Sequence, residues 1–319
     1  MGAALVVVAG CTAKYVRPTT EAKVALTEER IKRGQYLVNA VGACGACHDG
    51  RDNGELDMPA NPDLHLAGGN MMRDMGLAIW IPNITNDPET GLGSWTDDEI
   101  IRSIRDGVGK DGKFLFPIMP FAAYQNMSDE DVRSVVAYIR SLPPVKQTRP
   151  RQENEIPFMA KAAIGMGAAM HDPVTSVPEP DRNDPVKHGE YLAYVAHCTE
   201  CHSLGSMGTR GKTDRWLAGS DSPMDLPGVG KVWASNLTPD KETGVGKYSA
   251  EQIKTALRSG MRLDGKRMAP PMSLFMPHIA QWEEADLDAV VAYLQSLPPV
   301  VNKVPARELT PQFAGMIGE

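Results

Sequence analysis

Cys44-Gly45-Ala46-Cys47-His48 is the stretch from which the rest of the chain is read. Two thiols separated by two residues and followed at once by a histidine form the C-x-x-C-H pattern of covalent haem attachment. The chemistry sets the spacing. Each thiol adds across one vinyl group of the same porphyrin, and the adjacent imidazole is presented to the iron as proximal ligand. Cys198-Thr199-Glu200-Cys201-His202 repeats the pattern. A single pair would also suit a thioredoxin-like redox site, and the two pairs together a four-thiolate zinc site. Neither alternative needs a histidine after each pair and a methionine downstream, and both halves have them. Cys44, Cys47, Cys198 and Cys201 are therefore expected to hold two haem c groups covalently, with His48 and His202 on the irons.

The rest of the chain repeats with the motif. Asn83-Ile84-Thr85-Asn86-Asp87-Pro88-Glu89-Thr90-Gly91-Leu92-Gly93 matches Asn236-Leu237-Thr238-Pro239-Asp240-Lys241-Glu242-Thr243-Gly244-Val245-Gly246. The matched glycines imply either positive φ or a close approach, to a haem edge or within a tight loop. Thr96 to Glu99 and Ser249 to Gln252 are capping boxes that open short amphipathic helices, which end at Gly107 and Gly260. Each half then closes on a helix stopped by Pro143-Pro144 or Pro298-Pro299. Before each haem motif lies another helical pattern, the first starting near Thr27. The plan is all-α: two tandem class I-like cytochrome c domains related by internal duplication. No strand pattern competes.

An iron that only carries electrons needs a sixth ligand, and a thioether both closes the site and raises the potential. Met119, in Pro117-Ile118-Met119-Pro120, and Met272, in Pro270-Pro271-Met272, lie the same distance beyond Gly112-Lys113 and Gly265-Lys266. They are the expected axial ligands. The decoys are many, since the chain has 17 methionines and methionine is usually core filler. Met127 matches Trp282, and Met268 and Met276 have no methionine counterpart. His65 is the histidine alternative over the first iron, but the repeat puts Trp216 in its place. His171, His188, His197 and His278 read as surface or packing residues. Arg105 and Arg258 occupy matched places, suited either to a haem propionate or to a helix C-terminus.

The 319 residues fit two domains, and 42% hydrophobic with 23% charged fits a globular chain. Aromatics are only 6%, and two porphyrins would supply missing apolar bulk. A net charge of −7 with no basic run points away from nucleic acid. The fifth cysteine, Cys11, ends the short apolar run Leu5-Val6-Val7-Val8-Ala9-Gly10, as in a lipoprotein signal. Lipidation there is expected to anchor an exported protein. The domain reading is a signal and tether over 1–26, a first haem domain over 27–147, a linker over 148–184, a second haem domain over 185–302 and a loop-like tail over 303–319. Within the linker, 158–170 is apolar enough for a packing helix.

With these residues in place, the chain resembles the cytochrome c subunits of membrane-bound bacterial alcohol, gluconate and aldehyde dehydrogenases. Asn83-Ile84-Thr85, Asp87, Thr90-Gly91, Gly93, Trp95 and Met119-Pro120, with their second-half equivalents, carry the resemblance. It covers about 28–145 and 186–300. It implies electron transfer in the periplasm from a dehydrogenase towards a respiratory acceptor, with no substrate chemistry of its own. Those subunits often carry three haems, and two motifs stand here. The competing reading is a dihaem peroxidase, which needs one iron able to open and an acid/base group beside it.

Overall fold

The computed structural model describes residues 16–56, 59–74, 77–157, 172–203 and 213–318. Cys11, His171 and the 158–170 stretch lie outside them.

The first half begins with α1 (Glu28–Tyr36), capped by the Thr27 side chain, and runs into a π-helical turn, Leu37–Val41. α2 (Gly45–His48) carries the first haem motif. A hairpin of β1 (Asn70–Asp74) and β2 (Leu77–Ile81) follows. Then come α3 (Asp97–Arg105), the short α4 (Phe121–Tyr124) and α5 (Asp129–Ser141). The second half repeats this with α6 (Pro185–Val195), α7 (Cys198–His202), β3 (Met224–Leu226), β4 (Gly230–Val232), α8 (Ala250–Ser259), α9 (Met272–Ile279) and α10 (Glu284–Ser296). Both capping boxes are formed, at Thr96/Glu99 and Ser249/Gln252.

Two departures from the sequence reading stand out. The hairpins are strands of two to five residues, too short to show a period in the sequence. The tail is not loop-like: β5 (Glu308–Leu309) pairs with β4, and α11 (Pro311–Ile317) follows. The first half does the same more weakly, where Glu155 bridges to Ala78 of β2. The chain after each Pro-Pro thus returns to its own hairpin.

In each half the first and last helices cross where one has no side chain. A Cβ on Gly34 would stand 1.9 Å from the Ser134 carbonyl oxygen, and one on Gly189 1.9 Å from that of Ala289. Glycine is required there for contact between backbones, not for φ. The repeated Asn-x-Thr loops have a structural task too. The Asn83 amide donates to the Val145 carbonyl (2.7 Å) and Asn236 to that of Val300 (2.8 Å). Asp87 and Asp240 each accept from the Thr90 or Thr243 hydroxyl at 2.7 Å. Gly91 and Gly93 lie against carbonyls of their own loop, so the tight-loop reading of those glycines is the correct one.

One hydrophobic core runs through both halves, joining Leu37, Val41, Val132 and Val136 to Leu192, Trp282, Leu287 and Val290. At its seam the halves exchange matched tyrosines about a pseudo-two-fold axis. The Tyr36 hydroxyl donates to Asp286 (2.8 Å) and accepts from the Glu283 N–H (3.0 Å). The Tyr191 hydroxyl donates to Asp131 (2.5 Å) and accepts from the Ser128 N–H (3.2 Å). Arg33 completes the Asp131 site with two 2.8 Å bonds, and His188, its counterpart, binds Asp286 at 2.8 Å. His188 is therefore a buried interface residue.

Candidate haem-binding sites

Each C-x-x-C-H motif is wound into a single helical turn, which puts its two thiols on adjacent corners and its histidine at the end. The residue before each motif, Ala43 or His197, adopts a left-handed conformation (φ 47° and 44°). That kink turns the chain out of the preceding helix and into the motif. His48 is aimed from behind: its Nδ1–H donates to the Pro82 carbonyl at 2.9 Å. His202 does the same to Ser235 at 2.8 Å. Burial pulls both imidazoles below the usual histidine value, against the opposing carbonyls. A neutral ring with Nδ1 engaged leaves the Nε2 lone pair as the ligating atom. Both histidines keep part of their surface accessible.

The four thiols are free. Burial pushes Cys44 and Cys198 up to about 12 and Cys201 to about 11, and raises Cys47 as well, so burial favours the thiol over the thiolate at all four positions. Among the described residues no three His, Cys, Asp or Glu side chains converge as a metal site. The pairs therefore do not combine as a zinc centre, whereas one histidine and two thiols per helical turn fit a covalently held haem.

Residues the sequence reading passed over hold the motifs in place. Gly68 and Gly219 donate their N–H to the His48 and His202 carbonyls at 2.7 Å each. Under the first motif, Asn70 accepts from the Arg51 N–H and donates to the carbonyls of Cys47 and Asp49. Pro82 and Ser235 stand just before the repeated Asn-x-Thr loops. That adjacency was the only sequence signal for them.

The candidate residues of the sequence fall into the following places. Met276 is buried against Gly260, where Phe121 packs against Gly107 in the first half, so it is core. Met268 donates its N–H to the Gly260 carbonyl as Leu115 does to Gly107, so its counterpart is a leucine. Met127 and Trp282 share the core. Met119 is partly buried against that core, and Met272 is the first, half-buried residue of α9. α9 is longer than α4, eight residues against four, and the extra turn follows Met272. Both nitrogens of His65 are engaged: Nδ1 lies 2.8 Å from Asp49 Oδ1, and Nε2 lies 3.4 Å from the Tyr138 hydroxyl. Trp216 makes the matching bond to Tyr293 at 2.9 Å. Arg105 pairs with Asp129 at 2.6 Å and Arg258 with Glu284. These equivalent ion pairs tie the capping-box helix to the last helix of each half.

The sequence model of the cytochrome c family matches residues 31–143 and again 186–298. The chain belongs to the cytochrome c family. Its duplicated motifs then imply two haem c groups, one per domain. Among similar proteins is the fructose dehydrogenase cytochrome subunit of Gluconobacter japonicus, 31% identical over 287 residues, covering 88% of this chain and 55% of that protein. The cytochrome c subunit of the quinone alcohol dehydrogenase of Gluconobacter oxydans is 32% identical, over 86% of this chain and 56% of that protein. The chain thus spans about half the length of these relatives. A dihaem cytochrome c-type protein of Cereibacter sphaeroides is 29% identical and matches over 94% of this chain and 97% of its own. No helix among the described residues of this cytochrome c is long and apolar enough to cross a membrane.

Proposed function

We propose that this cytochrome c is a dihaem electron carrier serving a periplasmic or membrane-bound dehydrogenase and delivering to the respiratory chain. Bound haem supplies a one-electron couple that needs no substrate at the iron. The chain's own residues do the rest. Cys44, Cys47, Cys198 and Cys201 would fix the two groups, and His48 and His202, aimed by Pro82 and Ser235, would ligate the irons. Met119 and Met272 would supply the second ligand to each and would keep water and small molecules off the iron. Lipidation at Cys11 holds the carrier at the periplasmic face of a membrane, beside its donor and acceptor.

The observation that carries this reading is the matched pair of histidines, one per C-x-x-C-H motif, each with Nδ1 tied to a backbone carbonyl. The dehydrogenase cytochrome subunits among its relatives support the donor class. His65, with both nitrogens engaged, is poorly placed as the acid/base group a peroxidase needs. The purified dihaem protein should accept two electrons from a reduced quinoprotein or flavoprotein dehydrogenase and pass them to an oxidised periplasmic cytochrome. Mixed with hydrogen peroxide when half-reduced, it should turn over no faster than free haem c peptide. Fast peroxide turnover would reverse the assignment.

A further inference from the structure

Residues 17–24 precede the first helix, and they lie docked on α3 rather than running free. Arg17 bonds Asp98 at 2.8 Å and Asp106 at 3.3 Å. The Thr20 N–H donates to Asp98 and the Val24 N–H to Asp97, each at 2.8 Å. The Val24 side chain packs on the shared core. Arg140, on α5, holds the other oxygen of Asp97 at 2.8 Å. Arg102 secures the start of the strap: Nη1 donates to the Arg17 carbonyl at 3.3 Å and Nη2 to the Gly109 carbonyl at 2.7 Å. One guanidinium thus ties Arg17 to the 108–114 turn.

The helix alone does not account for the acids that receive the strap. Acidic residues in a first turn suit the helix dipole, which would explain Asp97 and Asp98. Asp106 stands at the other end, as C-cap of α3, where a carboxylate faces the negative pole. It is buried all the same. Its two oxygens are taken by Arg17 and by the Val174 N–H, the latter at 2.9 Å, so it joins the strap to the chain between the domains. The duplicated half has Ala250 where Asp97 stands, Thr255 for Arg102 and Ser259 for Asp106. Its helix lacks the same receptors, so they belong to the strap and not to the fold.

We propose that the docked strap is a short leash that sets the first domain on an anionic phospholipid surface, with the 108–114 turn towards the lipid. This rests on the reading that Cys11 is lipidated. Arg17 lies six positions beyond Cys11, and Leu26 fifteen. Extended chain spans at most about 3.5 Å per residue, so a tether free as far as Leu26 would reach about 50 Å, and one docked from Arg17 reaches only about 20 Å. The 108–114 turn is one guanidinium away from Arg17 and shares that short reach. Lys110 and Lys113 are exposed on it, with Asp111 between them. Anionic headgroups attract lysines held this close to the surface. The strap therefore fixes which face of the first domain the membrane meets.

The test uses the full acylated dihaem protein on vesicles containing phosphatidylglycerol. Trypsin cleavage after Lys23 reads the strap itself. Arg17→Ala with Thr20→Pro takes away the bonds to Asp98 and Asp106 without touching the core, and should speed that cleavage several-fold. A nitroxide attached at Lys113→Cys, or at Lys266→Cys in the matching turn of the second domain, reads distance from the lipid when nickel-chelating headgroups are added. Nickel should speed relaxation several-fold more at position 113 than at 266. The strap variant, or vesicles of phosphatidylcholine alone, should shrink that difference. Equal cleavage in parent and variant, equal relaxation at the two positions, or a difference unchanged by the variant or by neutral lipid would overturn the proposal; an acyl group found at Cys11 would then leave the lipidation reading standing. A chain with no acyl mass at Cys11 would overturn both.

Discussion

At the residue scale, the fold turns on positions where one side chain more or less decides whether two backbones meet. Gly34 and Gly189 are the clearest, each with a carbonyl oxygen 1.9 Å from where a Cβ would stand. Gly34→Ala and Gly189→Ala should each cost about 3 kcal/mol by denaturant titration, because the helix crossing must open to admit a methyl group. A loss under about 1 kcal/mol would show that the crossing yields. The thiol and histidine positions were legible in the sequence because covalent attachment fixes their spacing. The groups that aim the histidines, Pro82 and Ser235, were not, since a backbone carbonyl carries no residue signature. Nor were the interface roles of Tyr36 and Tyr191, which depend on partners in the other half.

At the scale of elements, capping boxes and Pro-Pro stops located the helices, while the hairpins were too short to announce themselves. Pairing along the chain explains why β5 was missed: Glu308–Leu309 is a strand only because β4 offers an edge. The seam between first and last helices has a pH dependence of definite sign. Burial opposes ionisation of Asp286, but hydrogen bonds from His188 and Tyr36 outweigh it and hold the carboxyl below its usual value. A carboxyl lowered by folding gives stability that is present above its unfolded pKa and lost as pH falls through the folded one. Acidification below about pH 4 should therefore weaken the fold, and Asp286→Asn should flatten that part of the stability profile. A parent and variant with identical acid limbs would contradict this. Tyr36→Phe should remove about 1–2 kcal/mol, since it strips a donor from Asp286 and an acceptor from the Glu283 N–H. Urea unfolding reads that loss, and a neutral result would mean water replaces the hydroxyl.

At the scale of the molecule, duplication made two pockets and a shared core made them one body. Leu37 and Val136 of one half and Leu192 and Trp282 of the other belong to the same cluster. Probes in the two halves should accordingly report one coincident unfolding transition, and two separated transitions would show independent domains. The internal repeat made this architecture readable, because every element had a second copy to check it against. What the repeat could not show was the asymmetry: Arg33 against His188, Ala43 against His197, and the extra turn that brings Phe275 to the seam.

On the proposed ligation, an imidazole and a thioether would hold each iron. The oxidised protein should show the far-red methionine-to-iron absorption from both haems, and replacing Met119 and Met272 one at a time by alanine should remove it in two equal steps. A high-spin haem in the parent, or an unchanged band after either replacement, would contradict the account.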